Sequence, residues 1–311
     1  MNNKLNSKNK IILIAGPTTS GKSNLAISIS KKISGEILNA DSMQIYKEFS
    51  VLTSRPKKKD ENNVKHHLYG FLSVKEHFSV VDWLNLIKKK INHCIIRNKT
   101  PIIVGGTGLY FSAITKGISK IPHINNLFRS KVRILHTKIG QKEFYNKLIK
   151  IDPISATKIS AQDTQRSIRA YEVKVFTKKS LYEWTAVTKS DFLNFDIKKF
   201  YINTPREVLL QNIEKRTRQM IKNNCVKEVE KFLKMNIDKS LSSNKIIGIK
   251  EIKNYISGIQ NLDETIQSII IKTRQYAKSQ NTWSRGHMKS WKKLYSDDLL
   301  GLRNKILKEI S

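Results

Sequence analysis

The chain has 311 residues, 39% of them hydrophobic, which is enough to bury a substantial core and excludes disorder throughout. Lys and Arg number 58 against 25 Asp and Glu, a net charge of +33 that marks a polyanion binder, although part of the excess in a chain so rich in Lys, Asn and Ile can be codon drift onto solvated surface. No apolar run reaches the roughly 18 residues of a spanning helix, the first ten residues lack a signal-peptide apolar region, and Cys94 and Cys225 lack partners at metal-ligand spacing. A soluble, cytoplasmic protein with two core thiols and no membrane contact is expected.

Residues 2–10 read as a frayed tail, and 10–15 as a buried strand. The segment GPTTSGKS at 16–23 follows with the spacing G-x-x-x-x-G-K-S of a phosphate-binding loop, and 22–33 reads as the helix behind it, with Leu25, Ile29 and Ile33 on one face. A second strand over 36–40 ends at Asp41. Residues 57–63 read as a solvated loop, and 79–97 as a helix with Val80, Trp83, Leu84, Ile87 and Ile91 at helical spacing. A third strand, 101–104, ends in GGTGLY. Strands alternating with helices predict a parallel sheet whose ligands gather beyond the carboxyl ends of the strands. From 118 to 197 the pattern is short helical segments broken at Pro122, Gly140 and Pro153, and 199–203 returns as a strand. Helices are predicted over 206–223, 226–235, 246–255, 262–283 and 299–310. The expected architecture is α/β: a parallel sheet flanked by helices as in P-loop nucleotide-binding proteins, formed by 1–117 and 198–311, with a helical insertion over 118–197 and a helical C-terminal region.

In the loop, Gly16 and Gly21 permit the backbone path, and the N–H groups of Thr18, Thr19, Ser20, Gly21, Lys22 and Ser23 are expected to face phosphate oxygens. Lys22 would supply a cation, and the Ser23 hydroxyl is placed to ligate magnesium. Asp41, beside the loop, suits general-base work, against a reading as a helix cap or a water-mediated magnesium holder. Ser42 and Gln44 offer neutral hydrogen-bonding groups next to it. In the glycine-rich turn Gly105-Gly106-Thr107-Gly108, another molecule could approach the backbone closely, with Thr107 able to hydrogen-bond. Only 12 of the basic residues are Arg, so each hints at planar bidentate geometry. Arg166 and Arg169 share a helix face that is read as solvated on its own. The segment 272–293 mixes cations with Tyr276, Trp283 and Trp291, as an RNA surface or a helix packed on the sheet would.

Taken in order, GPTTSGKS, DSMQIYK, HHL at 66–68, FSVVDW at 78–83, PIIVGGTGLY, QRSIRAYEV and TRQYAKSQNTW resemble the tRNA dimethylallyltransferases, or tRNA isopentenyltransferases, from about residue 10 to 290. The resemblance implies transfer of a dimethylallyl group from dimethylallyl diphosphate to N6 of adenosine 37, in tRNAs reading codons that begin with U. It implies that Gly16, Pro17 and the loop through Ser23 hold the diphosphate with magnesium, and that Arg216 contacts it too. Asp41 would take the proton of the adenine amine, and Thr107 would hold the base or the diphosphate from the opposite side. Implied contacts to the tRNA anticodon stem-loop are Asp41, Ser42, Met43, Gln44 and Thr107, and Arg129 near the start of the insertion. Gln165, Arg166, Ser167, Ile168 and Arg169 follow, then Asn244, Lys245 and Gly248, and then Lys278, Gln280, Trp283 and Arg285. The family is usually monomeric.

The chain departs from the family where members commonly have G-T-A-K-P and this chain has Leu52-Thr53-Ser54-Arg55-Pro56, and where Gly70 replaces a frequent aspartate. Thr164 stands in place of a proline, and Ser279 in place of an arginine. Rival readings are an adenylate isopentenyltransferase acting on free nucleotide, a P-loop nucleotide kinase, and an RNA-binding protein with a vestigial loop. No N-K-x-D segment supports a GTPase.

Overall fold

The computed structural model describes residues 9–57, 64–295 and 298–310; residues 2–8 of the tail expected over 2–10 and most of the loop at 57–63 lie outside the described residues, and Lys10 opens the first strand. The described chain divides into two compact units, one made of residues 1–114 and 192–311, the other of 115–191.

The first unit is built on β1 (Lys10–Ala15), β2 (Gly35–Asn39), β3 (His66–His67), β4 (Thr100–Gly105), β5 (Asp196–Ile202) and β6 (Lys292–Leu294). They form one sheet in the order β3-β2-β4-β1-β5-β6, with every neighbouring pair parallel. The central strands are continuous apolar runs because helices cover both faces. Ile11 to Ile14 and Ile102 to Ile103 are wholly buried. In β1, Ile14 pairs with Val104 on one side and Phe200 on the other, which brings the carboxyl ends of three strands side by side. The helices of this unit are α1 (Lys22–Ile33), α2 (Val80–Ile96) and α3 (Gly108–Thr115). Ser79 and Asp82 start α2 with a reciprocal capping box.

Two strands differ from the sequence expectation. β3 is two residues long, held in register by Ile37 opposite His66 and Leu38 opposite His67, and so short a strand leaves no apolar pattern. β6 interrupts the expected all-helical C-terminal region. The helix preceding it stops at His287, so Trp291 lies beyond it, buried edge-on to Phe111 at 5.3 Å, and belongs to the core rather than to an RNA-facing surface. Two exposed lysines in β6, Lys292 and Lys293, gave this edge strand the look of more charged helix.

The second unit is helical: α4 (Asn126–Ile151), α5 (Thr164–Thr177) and α6 (Leu181–Ala186), with a 3-10 turn at Pro153–Thr157. Gly140, at φ 76°, kinks α4 where the sequence predicts a break. Leu148, Ile159 and Ala170 form its core. Buried Asp152 accepts hydrogen bonds from Ser155 Oγ at 2.8 Å and Ser180 Oγ at 2.9 Å, joining the turn to the start of α6.

After β5 the first unit continues with α7 (Arg206–Lys222), α8 (Cys225–Lys234), a 3-10 turn at Ser242–Lys245, α9 (Ile249–Ile256), the 26-residue α10 (Leu262–His287) and α11 (Leu299–Ile310). No helix of the described residues is long and apolar enough to cross a membrane.

Candidate active site

The loop between β1 and α1 bends through left-handed backbone at Thr19 (φ 62°) and Gly21 (φ 80°). Gly16 admits no side chain, because a Cβ there would meet Ser20 Oγ at 2.8 Å and the Ile202 carbonyl at 3.2 Å. Two of the loop N–H groups are not free for phosphate, contrary to expectation. Thr18 N–H donates to Gln280 Oε1 at 2.9 Å, and Ser20 N–H to the Pro17 carbonyl at 3.3 Å. The N–H groups of Gly21, Lys22 and Ser23, at the positive end of α1, have no acceptor among the described residues.

Helices α7 and α10 brace this loop. Arg216 Nη1 donates to Thr18 Oγ1 at 2.5 Å, and Asn212 Nδ2 to the Thr19 carbonyl at 3.3 Å. Gln280 spans two loops, accepting from Thr18 and donating Nε2–H to the Gly106 carbonyl at 3.0 Å. The close approach allowed by the glycine-rich turn is thus used by the chain's own helix. A Cβ on Gly106 would run into the Gln280 amide, and one on Gly108 would run into the Trp283 ring.

Asp41 sits just past β2. Its backbone is clamped by Asn39, whose Oδ1 accepts Asp41 N–H at 2.8 Å and whose Nδ2 donates to the Asp41 carbonyl at 3.0 Å. Asp41 Oδ1 accepts Met43 N–H at 2.9 Å, leaving the second carboxylate oxygen without a bond among the described residues. Thr107 binds this segment to the end of β4: its hydroxyl accepts Ser42 N–H at 2.9 Å and faces Ser42 Oγ at 3.3 Å. Gln44 does not offer its amide nitrogen to a base, because Nε2 donates to the carbonyls of Thr53 at 2.9 Å and Ser54 at 3.0 Å.

These elements enclose a cavity of about 460 Å³. Its lining is polar at Thr18 to Asn24, Asp41, Lys245 and Arg216, and apolar at Met43, Leu52, Met220, Ile246 and Ile269, which belong to one hydrophobic cluster. Burial lowers the Lys22 ammonium to about 8; Asp41 opposes that shift and Arg216 adds to it. Lys22 Nζ donates to the Pro17 carbonyl at 2.9 Å. Burial also lowers Arg216, again against the field of Asp41. Tyr276 is pushed up by burial and by Asp41, and it lines both this cavity and a smaller one of about 180 Å³ bounded by Gly106, Thr107, Trp283 and Met288. Sequence reading did not single out Tyr276 for this place, nor Gln280 for its bridging; their spacing with Thr273 and Trp283 on one face of α10 was the available signal.

The remaining expected contacts are scattered over both units. Lys245, Lys278 and Arg285 are exposed. Asn244 Nδ2 is spent on the carbonyls of Asp238 and Leu241, and Gly248, at φ 105°, is buried against Leu52. In the second unit Gln165 and Arg166 are exposed and Ile168 is half-buried, whereas Ser167 is fully buried and faces Gln141 Nε2 at 3.3 Å, as a packing residue does. Arg129 Nε and Arg169 Nη1 converge on buried Glu172 Oε2 at 3.5 and 3.4 Å. The Arg55 and Gly70 departures explain each other: any side chain at 70 would begin where the Arg55 guanidinium lies.

A loop braced for an oligophosphate, an apolar wall beside it and a half-free carboxylate between them narrow the candidates sharply. The family described as IPP transferase matches residues 44–287. The chain belongs to the IPP transferase family. A tRNA dimethylallyltransferase of Pelagibacter ubique is 51% identical over 304 residues, covering 98% of this chain and 97% of the relative. One from Rickettsia massiliae is 41% identical, covering 92% of this chain and 79% of the relative. Among solved structures, the full-length tRNA isopentenylpyrophosphate transferase of Bacillus halodurans superposes with a TM-score of 0.70 at 28% identity, covering 97% of both chains. A eukaryotic dimethylallyltransferase acting on tRNA shares the fold, with a TM-score of 0.82 at 24% identity over 97% of this chain and 77% of its own. As an IPP transferase, the chain is a prenyl-transferring enzyme.

Proposed function

We propose that the chain, acting as a cytoplasmic monomer, transfers the dimethylallyl group of dimethylallyl diphosphate to N6 of adenosine 37 in tRNA. The observation that carries this reading is one cavity lined by the cations Lys22 and Arg216, by the carboxylate of Asp41 and by an apolar cluster that includes Leu52, Met220 and Ile269. A diphosphate fits the cations and the free N–H groups of α1, and a branched five-carbon chain fits the apolar cluster.

In the reaction, the C1–oxygen bond of the donor breaks while the N6–C1 bond forms, and diphosphate leaves with the electron pair. Charge grows on the leaving diphosphate, where Lys22, Arg216 and the N–H groups of Gly21 to Ser23 stabilise it. The adenine amine is a weak nucleophile because its lone pair is delocalised into the ring. The unbonded oxygen of Asp41 accepts a hydrogen bond from N6 and then its proton as attack proceeds. Met43 N–H on the other oxygen keeps that carboxylate oriented. The Ser23 hydroxyl is exposed into the cavity, a hard oxygen donor beside the phosphate end, and it suits a magnesium ion. Such an ion would supply further neutralisation of the leaving group. The target base must leave the anticodon-loop stack to reach Asp41. Thr107, Tyr276 and Trp283 line the smaller cavity that would receive its approach.

The test incubates the protein with magnesium, dimethylallyl diphosphate and either unmodified tRNA or AMP, followed by mass analysis of the nucleosides. A dimethylallyl increment on tRNA adenosine, lost in Asp41→Ala, is expected. An increment on AMP alone, or ATP turnover without prenylation, would sink the reading.

A further inference from the structure

Away from the phosphate loop, at the other end of β2, four metal-ligating side chains meet that are widely separated in sequence. Glu36 and His67 are buried, at 3% and 7% exposure, on adjacent parallel strands, and His67 Nε2 lies 2.6 Å from Glu36 Oε2. Helix α2 adds His93, whose ring centre lies 6.0 Å from that of His67, and buried Cys94, whose Sγ is 3.6 Å from the same Glu36 oxygen. One ligand atom each from Glu36, His67 and His93 lies within 4.8 Å of the others.

The geometry points to a binding site for a borderline-soft divalent cation of the zinc class, held by Glu36 Oε2, His67, His93 and the Cys94 thiolate. Ligands on a four-coordinate zinc ion stand about 3.3–3.7 Å apart, given bonds near 2.0 Å to nitrogen and oxygen and 2.3 Å to sulfur. The Cys94–Glu36 distance already matches; the hydrogen bond of His67 to Glu36 at 2.6 Å must open to that range, and Cys94, which lies outside the group of three within 4.8 Å, must approach the imidazoles. Nitrogen and sulfur donors select zinc or cobalt over magnesium, so this ion would be distinct from one at Ser23. The second carboxylate oxygen, Glu36 Oε1, accepts from Arg97 Nη1 at 2.9 Å, an outer partner that fixes the carboxylate's orientation. Lys65 and Lys90 stand near His67 and oppose cation entry, which the two anionic ligands offset. On binding, Cys94 gives up its proton and His67 moves its Nε2 proton to the other nitrogen or to solvent. Glu36 precedes Asp41, just past the end of β2, by five residues, about 16 Å by strand rise, so the ion would staple the two-residue β3 and α2 to the sheet rather than take part in transfer.

The test uses the full chain, stripped with chelator, kept in excess magnesium and titrated with cobalt(II). One cobalt per chain is expected, with the intense visible bands of a tetrahedral ion and a thiolate-to-cobalt charge-transfer band, both removed by added zinc. Zinc should raise the melting temperature by about 5 °C. His93 is exposed, so His93→Ala should fold normally and lose the tetrahedral bands, and Cys94→Ser should lose the charge-transfer band. Weak octahedral bands only, or a spectrum unchanged in either variant, would overturn the assignment.

Discussion

The phosphate end of the cavity and the arginine cluster of the helical unit are both built from cations, but they are finished to different degrees. At the phosphate end, Arg216 and Lys22 have close partners at 2.5 and 2.9 Å, and Gln280 ties the loop to its neighbour. In the helical unit, Arg129 and Arg169 reach buried Glu172 only at 3.5 and 3.4 Å, and Arg129 Nε and Glu172 Oε1 are buried without a hydrogen-bond partner. Buried charge without good bonds is costly, so the second arrangement is one that gains by closing. A small ligand of fixed shape is served by a site set in advance. The looser arrangement would suit a larger polyanion whose phosphates complete the geometry.

The sharpest break in this comparison is predicted at Asp41. Asp41→Asn keeps an oxygen for Met43 N–H but removes the proton acceptor, so turnover should fall by about 10²- to 10⁴-fold with donor affinity little changed in a binding titration. An equal loss in donor affinity would mean that Asp41 shapes the cavity rather than the chemistry. Next in size is a pH effect at Lys22. With its ammonium lowered by burial to about 8, donor binding must take up a proton above that pH, and affinity should drop by up to about tenfold for each further pH unit. Lys22→Met should bind weakly and lose this dependence, as read by calorimetry in buffers of different ionisation enthalpy. Because the unfolded chain holds that proton to about 10.5 and the folded chain only to about 8, ligand-free stability should rise from pH 8 to 10.5 in the parent and not in the variant.

A smaller effect is expected at Glu172, because several other cations share the work. Glu172→Gln preserves shape but releases both arginines from a common charge. Affinity for an anticodon stem-loop should fall by about fivefold, and the slope of log affinity against log salt should flatten by about 0.7 for each phosphate that is no longer neutralised. Donor affinity should not move. A merely structural defect would lower the melting temperature and leave the salt slope as it was.

These differences also mark what could be read from residues alone. The loop, its flanking strand and helix, and the place of Asp41 were legible, because a phosphate site on a parallel sheet is a local pattern repeated at strand ends. The bridging by Gln280 was not, since it joins positions more than 170 residues apart and depends on how closely α10 approaches Gly106. The edge strands β3 and β6 were missed for a related reason. Two or three residues carry no periodicity, and only their pairing with β2 and β5 defines them. Ser167 and Ser279 show the same limit at single residues: Ser167, implied as an RNA contact, is buried, and Ser279, which replaces a family arginine, returns its hydroxyl to the Gln275 carbonyl at 3.0 Å.

The smallest predicted effect concerns the wall behind Gln44. Gly70 has left-handed backbone, φ 53°, and the Arg55 guanidinium fills the space beside it while facing the carbonyls of Tyr46 and Lys47 at 3.4 Å. In this chain the Arg55 guanidinium occupies the volume that any side chain at position 70 would enter. Gly70→Asp alone should therefore cost about 2 kcal/mol in urea unfolding, from the left-handed backbone and from displacement of Arg55. Adding Arg55→Lys should recover about 1 kcal/mol, since the slimmer side chain withdraws and its ammonium can meet the new carboxylate. Additive costs in the double variant would show that the two departures arose independently. Gln44 rests on the carbonyls of Thr53 and Ser54, next to Arg55, so the single variant should also disturb the cavity wall and lower donor affinity modestly, and the double variant should restore it.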